Sequence, residues 1–478
     1  MKKTVLALTI ATLSFNALSD SNPIGFPSND PAVVYQQMDL ENVTRAFVDL
    51  QPEAAFMALH NSYLEAGSSA QHIGIMETSV DPRQTVLTGN SETVYAVHAV
   101  NLNEQGGAVV LEVPAGVMGA ANAAGWIPVT DFGLLGPDQG QGGTYLLTSP
   151  DWEGEVPEGM FHAPSSTNTV NWIIRGFQKE DGMAGAVKEL QAGIKTYSLD
   201  NIDNPGETTF YNTSAPVYDN GGYQDMLFQA EDMPKLIKMH YELNGHGAVK
   251  HSHNTANLHH AGFFDGTIDQ ALLDQAISTA WERVLTMTFN NRDQNAFKWE
   301  DNHWALPNTS KDENWTHRHL DIIDPVAQTT WSHQATFTSI AMARPPEGAG
   351  AVYVNGSKDS NGEFLNGSNC YELTIPADVP YANFWSLVTY EAQERSMIRN
   401  SHHKWAVNSY MDGLEPNTDG SYTITWGPNV ANEVNTIQTN EGEGFFSYFR
   451  IYGPKAAWYD NTWVLPNIEK INCNQSNY

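Results

Sequence analysis

Two β-rich blocks, far apart and each densely punctuated by turn residues, constrain the fold of this chain more than any other feature. The first block runs from Leu87 to Trp172 and the second from Gly350 to Pro466. Short strands separated by turns are typical of β-sandwiches. Between the blocks the spacing is helical and histidines are frequent. The chain has 478 residues. One hydrophobic core stops growing near about 250–300 residues, so we expect an α+β multidomain protein.

The N-terminus has the three parts of a secretory signal peptide. Lys2 and Lys3 form the basic start, and residues 4–18 are mostly apolar. Ala17 and Ser19 are the small residues that a signal peptidase requires. The apolar run is too short to span a bilayer. We therefore place the cleavage after Ser19 and expect the mature protein in the periplasm or outside the cell, with no membrane span.

The chain is strongly acidic, with a formal net charge of −31 at pH 7. The carboxylates are spread along the chain and form no acidic tail, which favours a well-hydrated surface. This charge disfavours nucleic acids and anionic membrane surfaces as partners, because both would repel the protein. The charge does not identify a ligand. We expect a small-molecule ligand from the candidate cleft described below, and a homo-oligomer of the chain stays open.

Changes in spacing divide the chain into five segments. They are a signal peptide over 1–19, an N-terminal helical segment over 20–67, a β-sandwich over 68–200, a mostly helical, histidine-rich domain over 201–345 and a second β-sandwich over 346–478. In the first sandwich, Gly106 and Gly107 predict a hairpin between the strands on either side. In the helical domain, Thr267 is the predicted N-cap of the clearest helix, since Gln270 stands at the capping-box position.

The predicted strand over residues 445–452 separates its side chains onto two faces. Phe445, Phe449 and Ile451 alternate onto one face. The opposite face receives Phe446, Tyr448, Arg450 and Tyr452. This second face combines aromatic rings with a cation, and it is therefore our first place to look for a ligand.

Several ordered motifs resemble a known pair of domains. In the first block these motifs are Asn90–Tyr95 (NSETVY), Val109–Pro114 (VVLEVP), Gly143–Tyr145 (GTY) and Pro150–Gly154 (PDWEG). They resemble the domain of unknown function numbered 1254. In the second block they are Asp359–Gly367 (DSNGEFLNG), Phe384–Ser386 (FWS), Asn417–Ser421 (NTDGS) and Arg450–Pro454 (RIYGP). They resemble its usual companion, numbered 1214.

The resemblance implies an immunoglobulin-like N-terminal sandwich and a jelly-roll-like C-terminal sandwich. The helical middle is similar to that of a Vibrio-type subgroup. The resemblance implies little chemistry, because both domains lack an assigned function. Members often carry an arginine where this chain has Cys370, so any ligand contact made by that arginine is absent here.

The chain has two cysteines, Cys370 and Cys473, both in its last block. In an oxidising compartment they can pair and hold the C-terminal tail against a strand. A disulfide also requires the two Cα atoms to be close. The sequence does not show this distance, and it leaves the pairing open.

A candidate ligand cleft is predicted around the second face of the strand at residues 445–452. Its members are Arg450, Tyr452, Tyr448, Tyr390, Trp385 and Glu391. Arg450 would clamp a carboxylate, the rings would form walls, and Glu391 would act as a general base. The alternative is a packed interface in which Glu391 is only the ionic partner of Arg450.

Ten of the 16 histidines lie between His240 and His333. A His-x-His pair on an extended segment places both rings on one side, as a divalent metal site requires. The candidate ligands are His251, His253, His317 and His319, with Asp321 and Asp324 as oxygen donors. The alternative is that these histidines are solvated or packed polar residues, since their spacing matches no known metal family.

The predicted function is that of an exported protein that binds a small organic or sugar-like ligand between its domains. Hydrolysis of an ester or sulfate is the enzymatic form of this hypothesis. The sequence contains no Gly-x-Ser-x-Gly, His-Glu-x-x-His or phosphate-loop motif. Two alternatives stay open: a non-catalytic envelope or secreted interaction protein, and a metallohydrolase that uses the central histidines.

Overall fold

The structure is a computed structural model, and it describes residues 30–91, 93–178, 180–216, 225–226, 228–245, 252–317 and 320–473. Its helices are α1 Pro31–Asp49, α2 Gln51–Ala66, α3 Gly182–Gly193, α4 Met233–Asn244, α5 Ser252–His260, α6 Gln270–Phe289, α7 Pro325–Gln334, α8 Ile340–Ala343 and α9 Ala456–Tyr459. The fold is a mixed α+β multidomain fold.

The strands fall into two groups, one around each β-rich block. The first group is β1 His72–Ile75, β2 Val94–Asn101, β3 Ala108–Val113, β4 Met118–Ala123, β5 Ile127–Gly133, β6 Gly143–Thr148, β7 Phe161–Pro164, β8 Thr169–Gly176, β9 Lys195–Ser198 and β10 Thr209–Asn212. The second is β11 Trp304–Ala305, β12 Ala351–Gly356, β13 Cys370–Ile375, β14 Tyr381–Glu391, β15 Ala406–Asn408, β16 Tyr422–Gly427, β17 Thr436–Gln438, β18 Phe445–Pro454 and β19 Glu469–Ile471. Of these strands, β1, β9, β10, β11 and β19 lie outside the predicted bounds of the blocks.

The N-terminal sandwich consists of two sheets packed face to face. One sheet has the order β10-β1-β2-β8-β4-β5 and the other the order β7-β6-β3-β9. Val94, Ala96 and Val100 of β2 point into a shared core and meet Val109 and Leu111 of β3 there. The side chains that the alternating pattern of β2 assigns to one face therefore form one wall of this core.

The predicted hairpin at Gly106 and Gly107 is wrong. β2 pairs with β1 and β8, whereas β3 pairs with β6 and β9 in the opposite sheet. The two glycines have φ values of 77° and 86°, a region that favours glycine. They turn the chain from one sheet to the other. A glycine pair specifies a tight turn, but sheet packing decides whether the flanking strands pair.

The helical segments before and after the first sandwich share one core. Phe47 of α1 and Phe56 of α2 belong to the same buried cluster as Ile237 of α4, Ala276 of α6 and Trp331 of α7. The N-terminal helical pair therefore packs with the middle helices. Val97, Ala99 and Ile173, on the outer face of the first sandwich, complete the wall of this core.

The N-cap of helix α6 lies two residues after the predicted one. Asp269 is the N-cap, and its carboxylate accepts a hydrogen bond of 2.9 Å from the Leu272 amide. The Thr267 hydroxyl instead donates to Asp265. Thr267 is therefore the wrong cap, although a capping residue does stand just before the apolar face. An aspartate accepts the amide hydrogen bond at least as well as a threonine.

The C-terminal sandwich packs the sheet β11-β12-β18-β14-β15 against the sheet β17-β16-β13-β19. Phe445, Phe449 and Ile451 of β18 lie in the core between the sheets. Phe446 and Tyr448 point outward into a separate buried cluster. The predicted division of β18 into two faces is present in the structure.

Cys370 and Cys473 form a disulfide with a Cα–Cα distance of 5.2 Å. Cys370 begins β13, which pairs with β19 near the C-terminus. The bond therefore holds the end of the chain onto the sheet. No helix in the described ranges is both long and apolar enough to cross a bilayer.

Candidate functional site

A cavity of about 180 Å³ lies where the outer faces of both sandwiches meet the helical core. The first sandwich contributes Tyr95 and Arg175 to its lining, and the second contributes Tyr353 and Arg450. The helical core contributes Trp331 of α7 to the lining. Three parts of the molecule that are far apart in sequence therefore enclose one space.

The lining of this cavity is apolar with two cations. Apolar side chains that line it are Met76, Val80, Val86, Leu87, Met118, Ala120, Ile173, Pro307, Trp331, Ala335, Phe337, Ala341, Met342 and Ala351. Arg175 and Arg450 are the charged residues among the described lining residues. A protein of net charge −31 thus encloses a locally positive cavity.

Arg450 on β18 is only 4% exposed. Its guanidinium donates 2.7 Å to the Tyr390 hydroxyl and 3.0 Å to the Thr88 carbonyl. Its Cζ also lies 5.2 Å from the ring centroid of Tyr448 and 5.7 Å from that of Tyr353. The rings favour the cation through their quadrupoles. The two hydrogen bonds use two of its five N–H donors.

Three tyrosines around Arg450, which are Tyr353, Tyr448 and Tyr452, are neutral and do not compensate its charge. Burial raises the pKa of Tyr353 to about 12. Burial also raises the pKa of Tyr448 and of Tyr452. Phenols with such pKa values stay protonated at physiological pH.

In the described part of the chain, no carboxylate lies within 4.0 Å of the guanidinium of Arg450 or of Arg175. A buried cation without a counter-ion is costly, because desolvation is not offset by an ion pair. An anion that enters the cavity would offset this cost. The electrostatics of the site therefore favour an anionic ligand.

Arg175 on β8 is the second cation of the cavity. Its guanidinium carbon lies 5.1 Å from the ring centroid of Tyr452 and 5.1 Å from that of Phe177. Asn90 links the same cluster by donating to the hydroxyls of Tyr452 and Tyr95 at 3.0 and 3.1 Å. These contacts hold both arginines at one wall, formed by strands from both sandwiches.

Two lining residues have a backbone conformation that is unusual for their type. Thr88 has φ 43° and Phe337 has φ 57°. A β-branched residue such as Thr88 rarely adopts positive φ, which costs on the order of 1–3 kcal/mol. The Thr88 hydroxyl donates 2.6 Å to the Gln334 carbonyl, while the Thr88 carbonyl accepts from Arg450. The surrounding contacts thus keep a strained loop against the arginine.

Two family models match the chain. The model for proteins of unknown function numbered DUF1254 matches residues 71–198. The model for proteins of unknown function numbered DUF1214 matches residues 350–456. The chain carries both domains, in this order. The recognition made from its motifs is confirmed, and the cavity lies between these two domains and the helical core.

One solved structure supports the fold. The VPA0106 protein from Vibrio parahaemolyticus aligns with a TM-score of 0.51 and 16% identity, over 91% of this chain and 100% of that chain. At this identity the match supports the mixed α+β fold alone. A putative uncharacterized protein from Burkholderia cenocepacia aligns with a TM-score of 0.40 and 11% identity, over 93% of this chain and 90% of that chain. Among curated proteins, no sequence matches significantly.

The outer face of the DUF1214 domain brings together several predicted residues. Tyr390 accepts a hydrogen bond from Arg450 and donates 2.8 Å to the Gly89 carbonyl. Tyr448 lines the cavity and donates 2.6 Å to the Gln334 side chain. Tyr452 lies behind the wall, stacked on Phe384 with 4.0 Å between ring centroids. The predicted grouping of Arg450 with these three tyrosines is therefore present.

The placement of Trp385 in the cleft is wrong. Trp385 points into the core of the DUF1214 sandwich and stacks on Phe449 at 5.7 Å between centroids. Successive residues of a strand point to opposite faces. Tyr390 of β14 and Arg450 of β18 share the outer face, whereas Trp385 has the opposite parity.

Glu391 is not the partner of Arg450. It ends β14 beside the first residue of β18, and no hydrogen bond or ion pair joins it to Arg450 among the described contacts. Burial, followed by the charges of Glu394 and Glu443, raises the pKa of its carboxyl. Its predicted role as a base beside Arg450 is therefore wrong.

The predicted metal ligands are not brought together in the described part of the chain. His251 and His319 lie outside the described residues. His253 lies 4.0 Å from the Asp49 carboxylate, and Asp324 caps α7 by accepting from the Val326 amide at 2.9 Å. Within the described ranges, no group of three His, Cys, Asp or Glu residues is arranged to hold a metal ion. The metal hypothesis gains no support from His253, His317 or Asp324.

Sequence reasoning missed Arg175 and Thr88. Arg175 is the charged residue of an otherwise uncharged strand, TVNWIIRG. Val170, Trp172 and Ile174 of that strand point into the sandwich core, which leaves Arg175 on the outer face. That alternation is a usable signal for Arg175. No sequence pattern marks Thr88, whose role depends on its carbonyl and its positive φ.

Proposed function

We propose that this DUF1254–DUF1214 protein binds a small organic anion in the cavity between its two named domains and its helical core. The observation that carries the proposal is Arg450, a 96% buried cation at an enclosed cavity with no carboxylate within 4.0 Å among the described residues. A carboxylate of the ligand would receive charge-assisted hydrogen bonds from the unused N–H donors of Arg450. Arg175 would add to the attraction from the same wall.

The rest of the lining indicates the remainder of the ligand. The apolar side chains of the same lining, such as Met118, Trp331 and Met342, exclude water from most of the cavity. An apolar or aromatic body therefore fits better than a sugar with many hydroxyl groups. The ligand class that we propose is a carboxylate attached to a compact apolar group.

The proposal is for binding, not for hydrolysis. The described lining residues include no Asp, Glu, His or Cys that could act as a base or nucleophile. Glu391, the predicted base, lies away from Arg450. The arrangement of sheets supports two further assignments as part of the proposal: an immunoglobulin-like sandwich for the DUF1254 domain and a jelly-roll-like sandwich for the DUF1214 domain.

We also propose that the protein is exported to the periplasm or beyond. Two features support this: the signal-peptide pattern that ends at Ser19, and the disulfide between Cys370 and Cys473. N-terminal sequencing of the protein purified from its natural cell tests the proposal. We expect the mature chain to begin at Asp20; a chain that retains Met1 would contradict export by this route.

Calorimetric titration of the full mature chain tests the binding function. The probes are benzoate and hexanoate, each compared with its neutral amide. We expect the carboxylates to bind and the amides to bind much more weakly. Arg450→Met should weaken carboxylate binding by about 100-fold, since a charge-assisted hydrogen bond contributes about 1.5–3 kcal/mol.

The matched control is Arg395→Met, because Arg395 is equally buried but lies outside the cavity lining. Its variant should bind carboxylates as the wild type does. Equal affinity for amides and carboxylates would overturn the proposal. So would unchanged affinity in the Arg450→Met variant, or no binding of either carboxylate.

A further inference from the structure

A second cavity, of about 260 Å³, adjoins the cavity that holds Arg450. We name the cavity with Arg175 and Arg450 the inner compartment and its neighbour the outer compartment. The two share four lining residues, which are Pro307, Trp331, Met342 and Tyr353. The same side chains therefore form a common wall, and a ligand in one compartment lies next to the other.

The common wall is built from adaptable or flat groups. Met342 lies on the short helix α8 and has an unbranched, flexible side chain. Tyr353 presents its ring to Arg450 at 5.7 Å from the guanidinium carbon and also lines the outer compartment. A narrow apolar chain can pass along such groups without burying an unpaired polar atom.

The cations that line the outer compartment are Lys298, Lys311 and Arg344. Lys298 is the first candidate to bind an anion. Its Nζ donates 2.8 Å to the Trp458 carbonyl and also to the Asn461 side chain, and it lies 4.6 Å from the ring centroid of Trp458. An ammonium has three donors. Among the described residues, the third has no acceptor, and no carboxylate lies within 4.0 Å of Nζ. Burial lowers the pKa of Lys298 to about 8.

Arg344, another cation of the outer compartment, is already paired. Arg344 donates to both carboxylate oxygens of Glu313, at 2.9 and 2.7 Å. This bidentate geometry uses the Nε–Nη2 edge of the guanidinium and gives the charge of Arg344 a counter-ion. Lys298 is therefore the better candidate to receive a second anionic group.

We infer that the ligand is elongated and carries an anionic group at each end, joined by an apolar spacer. One carboxylate would lie against Arg450 and Arg175 in the inner compartment, the spacer would pass Trp331 and Met342, and the second carboxylate would reach Lys298. The inference rests on the proposed anion-binding function and adds the second anionic end. An α,ω-dicarboxylate is the simplest member of this class.

A chain-length series tests the inference on the wild-type protein. Calorimetric titration would compare α,ω-dicarboxylates of increasing length with monocarboxylates of the same number of carbons. We expect the dicarboxylate to bind more tightly at one optimal length by about tenfold, as for one charge-assisted hydrogen bond. Shorter dicarboxylates should lose this advantage, because their second group would remain in the apolar spacer region.

The Lys298→Met variant locates the second end. It should remove the preference for dicarboxylates while it leaves monocarboxylate affinity unchanged. Lys358→Met is the matched control: Lys358 also donates to an asparagine, Asn290, and lies 4.8 Å from a ring centroid, that of Phe364, outside both compartments. Its variant should keep the preference.

The outcomes separate this inference from the function on which it rests. Monocarboxylates that bind as tightly as every dicarboxylate would overturn the inference and leave anion binding intact. A dicarboxylate preference that survives Lys298→Met would overturn the role of Lys298 and with it the inferred path. If neither class binds, both the inference and the proposed function fail.

Discussion

Two regions of the molecule contain a buried arginine, and they differ in what lies beside the charge. Arg395 is 0% exposed and donates to the Gln393 and Phe228 carbonyls at 2.7 and 3.0 Å. Its guanidinium carbon lies 5.5 Å from the ring centroid of Trp281. Arg450 likewise has two oxygen acceptors and aromatic neighbours. Arg450 lines a cavity, however, and Arg395 is not part of that lining.

The comparison teaches that a buried, unpaired cation does not by itself mark a site. Around Arg395 the protein leaves Nε without a partner in the described contacts, and burial lowers the pKa of the guanidinium to about 10. Arg395 packs where helix α6 meets the DUF1214 domain. Around Arg450 the same kind of charge faces space that a ligand can occupy. The cavity, not the charge, distinguishes the two regions.

The largest difference should be in stability when each arginine is replaced by methionine. Arg395→Met should lower the free energy of unfolding by about 2–3 kcal/mol, because it leaves the Phe228 and Gln393 carbonyls buried without donors. Arg450→Met should cost about 1 kcal/mol or less, because it also removes a buried cation that has no counter-ion, and because the Tyr390 hydroxyl keeps its hydrogen bond to the Gly89 carbonyl. Urea unfolding measures both values. Equal losses would remove the distinction between the two regions.

Ligand should stabilise the protein only when the Arg450 region is intact. At a concentration of 100 times Kd, a bound carboxylate raises the free energy of unfolding by about 2.7 kcal/mol. We expect this gain in the wild type and in Arg395→Met, but not in Arg450→Met at the same concentration. Thermal unfolding with and without hexanoate provides the measurement. A similar gain in all three proteins would place the ligand elsewhere.

Of the two arginine regions, the one around Arg395 should lose more stability in acid. His333 is fully buried near Arg395, 5.1 Å from the Trp281 centroid, and neither ring nitrogen has a described partner. Burial first, and the charge of Arg395 second, lower its pKa well below 6.5. Below pH 6.5, His333 therefore binds a proton in the unfolded chain but stays neutral in the folded chain. The contribution of His333 to the free energy of unfolding is complete above pH 6.5. It falls by about 1.4 kcal/mol for each pH unit below this value.

The variant His333→Leu isolates this effect. It removes two buried, unpartnered polar atoms and should make the decline in stability between pH 6.5 and 4.5 less steep. His60 and His98, whose pKa values burial lowers to about 4, should keep part of that decline. Urea unfolding across this pH range measures the slope. A slope as steep as that of the wild type would show that His333 is not the sensitive group.

The smallest effect should come from Arg175, the less buried cation of the cavity. Arg175→Met should weaken carboxylate binding by about fivefold, because solvent screens a partly exposed charge more than a buried one. The measurement is the same titration that is used for Arg450→Met. A loss as large as that of Arg450→Met would make the two arginines equal members of one anion clamp.

Rules that depend on near neighbours in the sequence predicted much of the secondary structure. The strand alternation of β18, the glycine turns and the helical spacing of α2 and α6 each depend on near neighbours along the chain. The hairpin at Gly106 and the cap at Thr267 failed for a related reason. The first required knowledge of which sheets face each other, and the second required a choice between capping residues two positions apart.

The part of the candidate site that the sequence predicted lies on β14 and β18 of the DUF1214 domain. The tyrosines that accompany Arg450 follow from strand parity and from the pairing of β14 with β18. Trp385 and Glu391 were misplaced because the prediction did not apply strand parity to β14, where both residues have the opposite parity to Tyr390. Arg175 and Thr88 come from other parts of the chain, and no local pattern assigns them to the same cavity as Arg450.

The sequence by itself determined the two β-rich blocks, their DUF1254 and DUF1214 identities and the outward direction of Arg450, because period-two alternation and motif order are local properties. Only the tertiary structure decided that both sandwiches turn their outer faces toward one helical core. It also decided that Arg450 and Arg175 share a cavity with no carboxylate beside them in the described part of the chain. That outcome depends on packing between segments hundreds of residues apart, and such packing leaves no periodic trace along the chain.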